Sequence, residues 1–105
     1  MAKPKFSLNA NPTFKAVVDV PVPGGASAPV EFTFKSRTRD EFRLFIDGLG
    51  DRQDVDVIMD VASGWELEDP FDQTHVALLT QNYLGAARVV IEKYLSELTA
   101  ARLGN

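Results

Sequence analysis

Two alternating stretches set the main limit on what this chain can fold into. From Thr13 to Val20, Phe14, Ala16, Val18 and Val20 point to one side, and Thr13, Lys15, Val17 and Asp19 point to the other. From Val30 to Lys35, Val30, Phe32 and Phe34 point one way, and Glu31, Thr33 and Lys35 the other. A period of two is the mark of a half-buried strand. The segment Pro21-Val22-Pro23-Gly24-Gly25-Ala26-Ser27-Ala28-Pro29 between them is a turn, because its prolines cannot donate to a ladder. The pair is therefore a β-hairpin with a long tip. A lone two-stranded hairpin is marginal in water. Its apolar face must cover helices of the same chain or pair with another copy, and its edge offers free backbone groups for strand addition between subunits. Phe14, Val18, Phe32 and Phe34 are the candidate self-association residues, and a homo-oligomer is expected.

Beyond the hairpin the apolar period becomes that of helices. Thr38 with Glu41 three residues on forms a capping box. Phe42, Phe45, Ile46 and Leu49 follow on one face, and Gly50 is the expected stop. Asp51 is the expected cap of a second helix, with Val55, Ile58, Met59 and Ala62 inward and Gly64 at its end. Asp72 is the expected N-cap of a third, with Val76, Leu79 and Tyr83 inward and Gly85 breaking it. A fourth carries the stripe Ala87, Val90, Ile91, Tyr94, Leu95, Leu98 and Ala101, with little charge pairing expected on its outer face. The expected fold is α+β: an N-terminal two-stranded antiparallel β-hairpin followed by about four α-helices. Residues 1–12 read as a flexible arm, 13–101 as one domain and 102–105 as a frayed end.

The turn between the second and third helices is unusual. Connections are normally polar, yet this one holds the only tryptophan, Trp65, followed by Leu67, Pro70 and Phe71. These residues either clasp two helix pairs together or form a contact surface. With Tyr83 they are the candidate partner-binding residues.

No catalytic or metal-binding pattern stands out. The chain has no cysteine, which excludes disulfides and thiolate sites. His75, the only histidine, lacks a nucleophile in context and reads as a surface or capping residue. Asp51-Arg52-Gln53-Asp54-Val55-Asp56 only loosely resembles the start of a calcium loop, and Ala62 stands where such a loop places its bidentate glutamate. No enzyme activity, cofactor or metal is expected. The net charge is −4, and eleven of the fifteen acids fall between Asp40 and Asp72, against Arg43 and Arg52. An acidic chain is a poor non-specific binder of nucleic acid. The basic cluster Arg37, Arg39 and Arg43 is expected to be neutralised by Asp40 and Glu41. The acidic middle would suit a partner with basic segments, or it is simply a solvated face. No apolar run nears the ~18 residues a membrane span needs, and no secretory leader is legible, so a cytoplasmic location is expected.

Asp40-Glu41-Phe42, Gly64-Trp65-Glu66-Leu67, Asp69-Pro70-Phe71-Asp72, the run Tyr83-Leu84-Gly85-Ala86-Ala87, and Ile91 with Tyr94 occur in an order that resembles the tail assembly chaperones of long-tailed bacteriophages. Many of those proteins have proline where this chain has Leu84. The resemblance implies a non-enzymatic protein of the host bacterial cytoplasm. It would coat the tape measure protein and keep it soluble until tail tube protein displaces it. It also implies, in many such families, a longer form made by ribosomal frameshifting. Leu103-Gly104-Asn105 is compatible with a slippery run of G then A, which the gene's last nucleotides would check. The alternative is a structural tail component, such as a tail terminator or tube-completion protein.

Overall fold

The computed structural model describes residues 7–99. The expectations for residues 1–6 and for residues 100–105, Ala101 included, lie outside the described residues. The elements in order are β1 (Thr13–Val20), β2 (Ala28–Lys35), α1 (Arg39–Gly48), a 3-10 turn (Leu49–Asp51), α2 (Asp54–Val61), β3 (Ala62–Trp65), α3 (Gln73–Asn82) and α4 (Ala86–Thr99). The class is α+β, as expected. No helix among the described residues is long and apolar enough to cross a membrane.

The hairpin forms in continuous register, from Thr13 opposite Lys35 to Val20 opposite Ala28. Gly24 turns its tip at φ 78°, a left-handed conformation that glycine adopts without strain. The sheet has three strands rather than two. β3 pairs antiparallel with β2, giving the order β1-β2-β3. Phe32 lies opposite Trp65, Thr33 opposite Gly64 and Phe34 opposite Ala62, so Ser63 is an extra residue on β3. The expected second helix therefore stops at Val61, three residues before Gly64. The cause is local ambiguity: Ala62 sits four residues after Ile58 and fits the helical stripe, while four residues are too few to display a period of two. Pairing with β2, whose Phe32 and Phe34 are fully buried, decides the matter, as tertiary contact often overrides local pattern.

The sheet lays Ala16, Val18, Val20, Val30, Phe32 and Phe34 against the helices, which contribute Phe45, Val57, Ile58, Val61, Val76, Ala86, Ala87, Val90 and Tyr94. The inward residues of both hairpin strands thus cover helices of the same chain. Helix starts follow the expected chemistry at two of three sites. Thr38 accepts from the Glu41 amide at 3.1 Å, and the Glu41 carboxylate accepts from the Thr38 amide at 2.8 Å. Asp72 caps α3 by accepting from the His75 amide at 2.9 Å. Asp51 does not cap α2. It lies in the 3-10 turn, and Gln53 takes the cap position without a side-chain bond. Arg52, extended between them, reaches forward to Asp60 instead. On α4 the outer face is paired after all, Arg88 with Glu92 at 2.9 Å and Lys93 with Glu97 at 3.4 Å. Both are one helical turn apart, the spacing at which such pairs meet. Gly85 separates α3 from α4, and a Cβ there would lie 3.0 Å from Pro21 of the hairpin tip. Glycine lets the tip seat against that junction.

Tyr94 is the centre of the fold. Its ring is fully buried, 5.4 Å from Phe34, 5.8 Å from Phe45 and 6.3 Å from Phe14 between centroids. Its hydroxyl donates to the Lys35 carbonyl at 2.8 Å and accepts from Arg37 at 2.7 Å. Arg37 stacks over Phe45 at 4.5 Å and donates to Asp60 at 2.8 Å, and Arg52 meets the same carboxylate oxygen at 2.7 Å. Arg37 is thus neutralised by Asp60 of α2, not by Asp40 and Glu41. Burial pushes the Tyr94 hydroxyl's pKa up, more than Arg37 beside it pulls it down. Burial alone would raise Asp60's pKa too, but the hydrogen bonds from Arg52 and Arg37 outweigh it and hold the carboxyl below its ordinary range.

Two outcomes follow. Tyr94→Phe strands a buried carbonyl and an arginine, and is expected to lower unfolding free energy by about 1–3 kcal/mol in urea titrations. A carboxylate with a depressed folded pKa adds stability that is present above the unfolded value and lost as pH falls through the folded one. The urea midpoint of the wild type should therefore fall more steeply than that of Asp60→Asn as pH drops from neutral to about 3.

Candidate functional site

β3 ends on Trp65, and the chain then crosses to α3 through an exposed loop, residues 66–72. Antiparallel pairing holds Trp65 edge-on to Phe32, 5.8 Å between centroids. Phe71 meets it from the other side at 5.0 Å and 89°. The indole N–H donates to the Asp69 carbonyl at 2.7 Å and so closes the loop on itself. The indole is clamped by two rings and one hydrogen bond, and it remains only half-buried.

Trp65 forms one wall of a groove. Leu67 and Asp69 of the loop stand with it, and His75, Leu78, Leu79, Asn82 and Tyr83 line the α3 side. The groove is open to solvent and has a volume of about 160 Å³. Three apolar groups on it are largely open to solvent: Leu67 at 38%, Leu78 at 55% and Tyr83 at 36% exposure. Soluble monomers rarely leave contiguous apolar surface without a use for it. The groove's base is stiffened by the α3 cap, where Asp72 meets the His75 ring nitrogen at 2.7 Å. The His75 amide and then its ring hold the Asp72 carboxyl below its ordinary range.

Three of the five candidate partner-binding residues, Trp65, Leu67 and Tyr83, line this groove together. Phe71 packs behind Trp65 and against the core, and Pro70 is exposed on the loop outside the groove. Leu78 and Asn82 had no place among the candidates. Leu78 lies outside the expected inner face of Val76, Leu79 and Tyr83, and only the position of the loop makes it part of a wall. The four candidate self-association residues all point into their own core. Val18, Phe32 and Phe34 are buried, and Phe14 stacks on Tyr94. What the hairpin leaves open is the outer edge of β1, with Val17 exposed beside it.

A larger cleft of about 410 Å³ lies between the end of β2 and α1, lined by Lys35, Arg37, Glu41, Leu44, Phe45 and Asp60. Its central charges are engaged with each other in the Tyr94 network, so it offers less free chemistry than the groove. Phe71→Ala removes one side of the indole clamp while leaving the Asp72 cap in place. A red shift in tryptophan emission and a loss of about 2 kcal/mol in stability are expected.

Neither curated proteins nor solved structures include a match to this chain. A family model described as phage tail assembly chaperone matches residues 1–105, the full sequence. By this whole-length match the chain belongs to the phage tail assembly chaperone family.

Proposed function

We propose that this chain is a non-enzymatic chaperone that binds the tape measure protein in the host cytoplasm and keeps it soluble until tail tube protein takes its place. The observation that carries this reading is the groove of Trp65, Leu67, Leu78 and Tyr83, whose indole is fixed by Phe32, Phe71 and the Asp69 carbonyl. A long helical protein exposes apolar stripes before it is enclosed, and a preformed apolar groove covers such a stripe without reordering itself. Tight clamping of Trp65 by Phe32 and Phe71 supplies that preorganisation.

Coating a long partner calls for many copies. The open edge of β1 is the surface on which copies would add strand to strand, since the inward side chains of the hairpin are occupied by the core. Pro70 and Phe71 act in this reading by shaping the loop and supporting the indole rather than by touching the partner.

The test is co-expression with the longest helical protein encoded nearby, followed by sedimentation of the soluble fraction. That protein is expected to stay soluble only when this chain is present, with many copies co-sedimenting. Leu67→Asp, at an exposed position, should abolish the effect while circular dichroism stays native. If the long protein behaves the same with and without this chain, the proposal fails. Finding this chain in purified virions would instead favour a terminator or tube-completion role.

A further inference from the structure

We propose that the segment recognised in the groove is an amphipathic helix whose apolar stripe is flanked by lysine or arginine. This rests on the chaperone reading and deepens it by naming the kind of segment bound. The charge around the groove points to it. From Gln53 to Ala87 the chain has seven acids and neither lysine nor arginine. Two of the seven are already engaged, Asp60 by Arg37 and Arg52, and Asp72 by His75. Glu66 accepts from the Glu31 amide at 3.0 Å and makes no ion pair among the described residues. Glu68 and Asp69, in the loop that forms one wall, make no ion pair among the described residues. Among the described residues, the apolar slot therefore has Asp69 in its lining and Glu68 beside it, with no lysine or arginine paired to either. Carboxylates so placed repel acidic partners and steer basic ones.

The shape narrows the occupant further. The walls are side chains: Trp65 and Leu67 on one side, Leu78, Leu79 and Tyr83 on the other. A helix satisfies its own backbone groups and needs only such side-chain contacts, whereas an extended segment needs a partner for each N–H and C=O. A groove of about 160 Å³ is close to the ~150 Å³ that accepts a benzene-sized group. It takes one leucine, methionine or phenylalanine as an anchor. Leu67 and Leu78 then meet the neighbours of that anchor one turn away, and the basic flanks fall against Glu68 and Asp69.

Trp65 is the only tryptophan and lies in the groove wall, so its emission reads occupancy directly. The full chain is titrated with synthetic peptides of about five helical turns that share one leucine stripe and differ in their flanks: lysine and arginine, glutamate, or serine and glutamine. The basic-flanked peptide is expected to shift the emission and to bind at least ~10-fold more tightly than the glutamate-flanked one at low salt, with the advantage shrinking as salt rises. Leu78→Asp should remove the response, and Leu78→Ala, a milder change at the same exposed position, should weaken it. Glu68→Gln with Asp69→Asn should cost the basic peptide ~10-fold. Asp54→Asn with Asp56→Asn makes the same charge change on α2, outside the groove lining, and should leave affinity within ~2-fold.

Equal binding of basic-flanked and glutamate-flanked peptides overturns the inference. So does an equal loss from the two neutralised pairs, which would reduce the effect to net charge. In either case a positive co-expression result leaves the chaperone reading standing. Failure of co-expression removes that reading whatever the peptides do.

Discussion

A single buried hydroxyl organises this fold. Tyr94 brings an oxygen into an aromatic cluster where a stranded polar group is costly, and the structure answers it twice, with the Lys35 carbonyl and the Arg37 guanidinium. Satisfying Tyr94 buries most of Arg37, and that charge in turn needs Asp60, which Arg52 shares. One requirement on α4 thereby ties together the end of β2, the face of α2 and the segment between α1 and α2. α1 depends on it most. Phe45 is its one buried residue, held between Tyr94 and Arg37, while Leu44 and Ile46 remain exposed. Without the Tyr94–Arg37 contact that helix would keep its capping box and little else to fix it.

The groove stands on different supports. Trp65, Phe32 and Phe71 form a second aromatic group, anchored through the β2–β3 pairing and the Asp72 cap. Phe32 and Phe34, neighbours on one face of β2 with rings 5.7 Å apart, link the two groups. β2 thus meets the stabilising network at Lys35 and the groove's indole at Phe32. That separation lets the groove keep solvent-exposed leucines without drawing on the contacts that hold the core. Sites that need open apolar surface are commonly set on rigid elements whose stability comes from elsewhere.

The parts legible in the sequence were those written in short range. The hairpin register followed from alternation, and Thr38 and Asp72 announced their helices by side chains three residues from their partners. Trp65 and Leu67 were conspicuous because apolar bulk in a connection needs a reason. β3 was hidden, since Ala62 satisfies the helical stripe of α2 and the strand exists only by pairing with β2. The role of Arg37 was hidden for the same reason: its partners lie 57 and 23 residues away, and acids closer in sequence offered a false match. Leu78 became part of the groove only once the loop was placed across from it. Hidden features share one property: each is decided by a contact between segments that carry no local sign of one another.

Locality also governs how the charge of this chain should be understood. A net charge of −4 says little about a particular face, because at physiological ionic strength charges act over only about 8 Å. Arg37 and Arg52 both pair with Asp60 of α2, so that end of the helix is less negative than its sequence suggests. The loop from Glu66 to Asp69 makes no ion pair among the described residues. The same carboxylates that keep exposed Leu67 and Leu78 from promoting indiscriminate association also set the sign of whatever helix can lie across them. Solubility of the empty chain and selectivity of the filled one are then a single consequence of where the cations are missing.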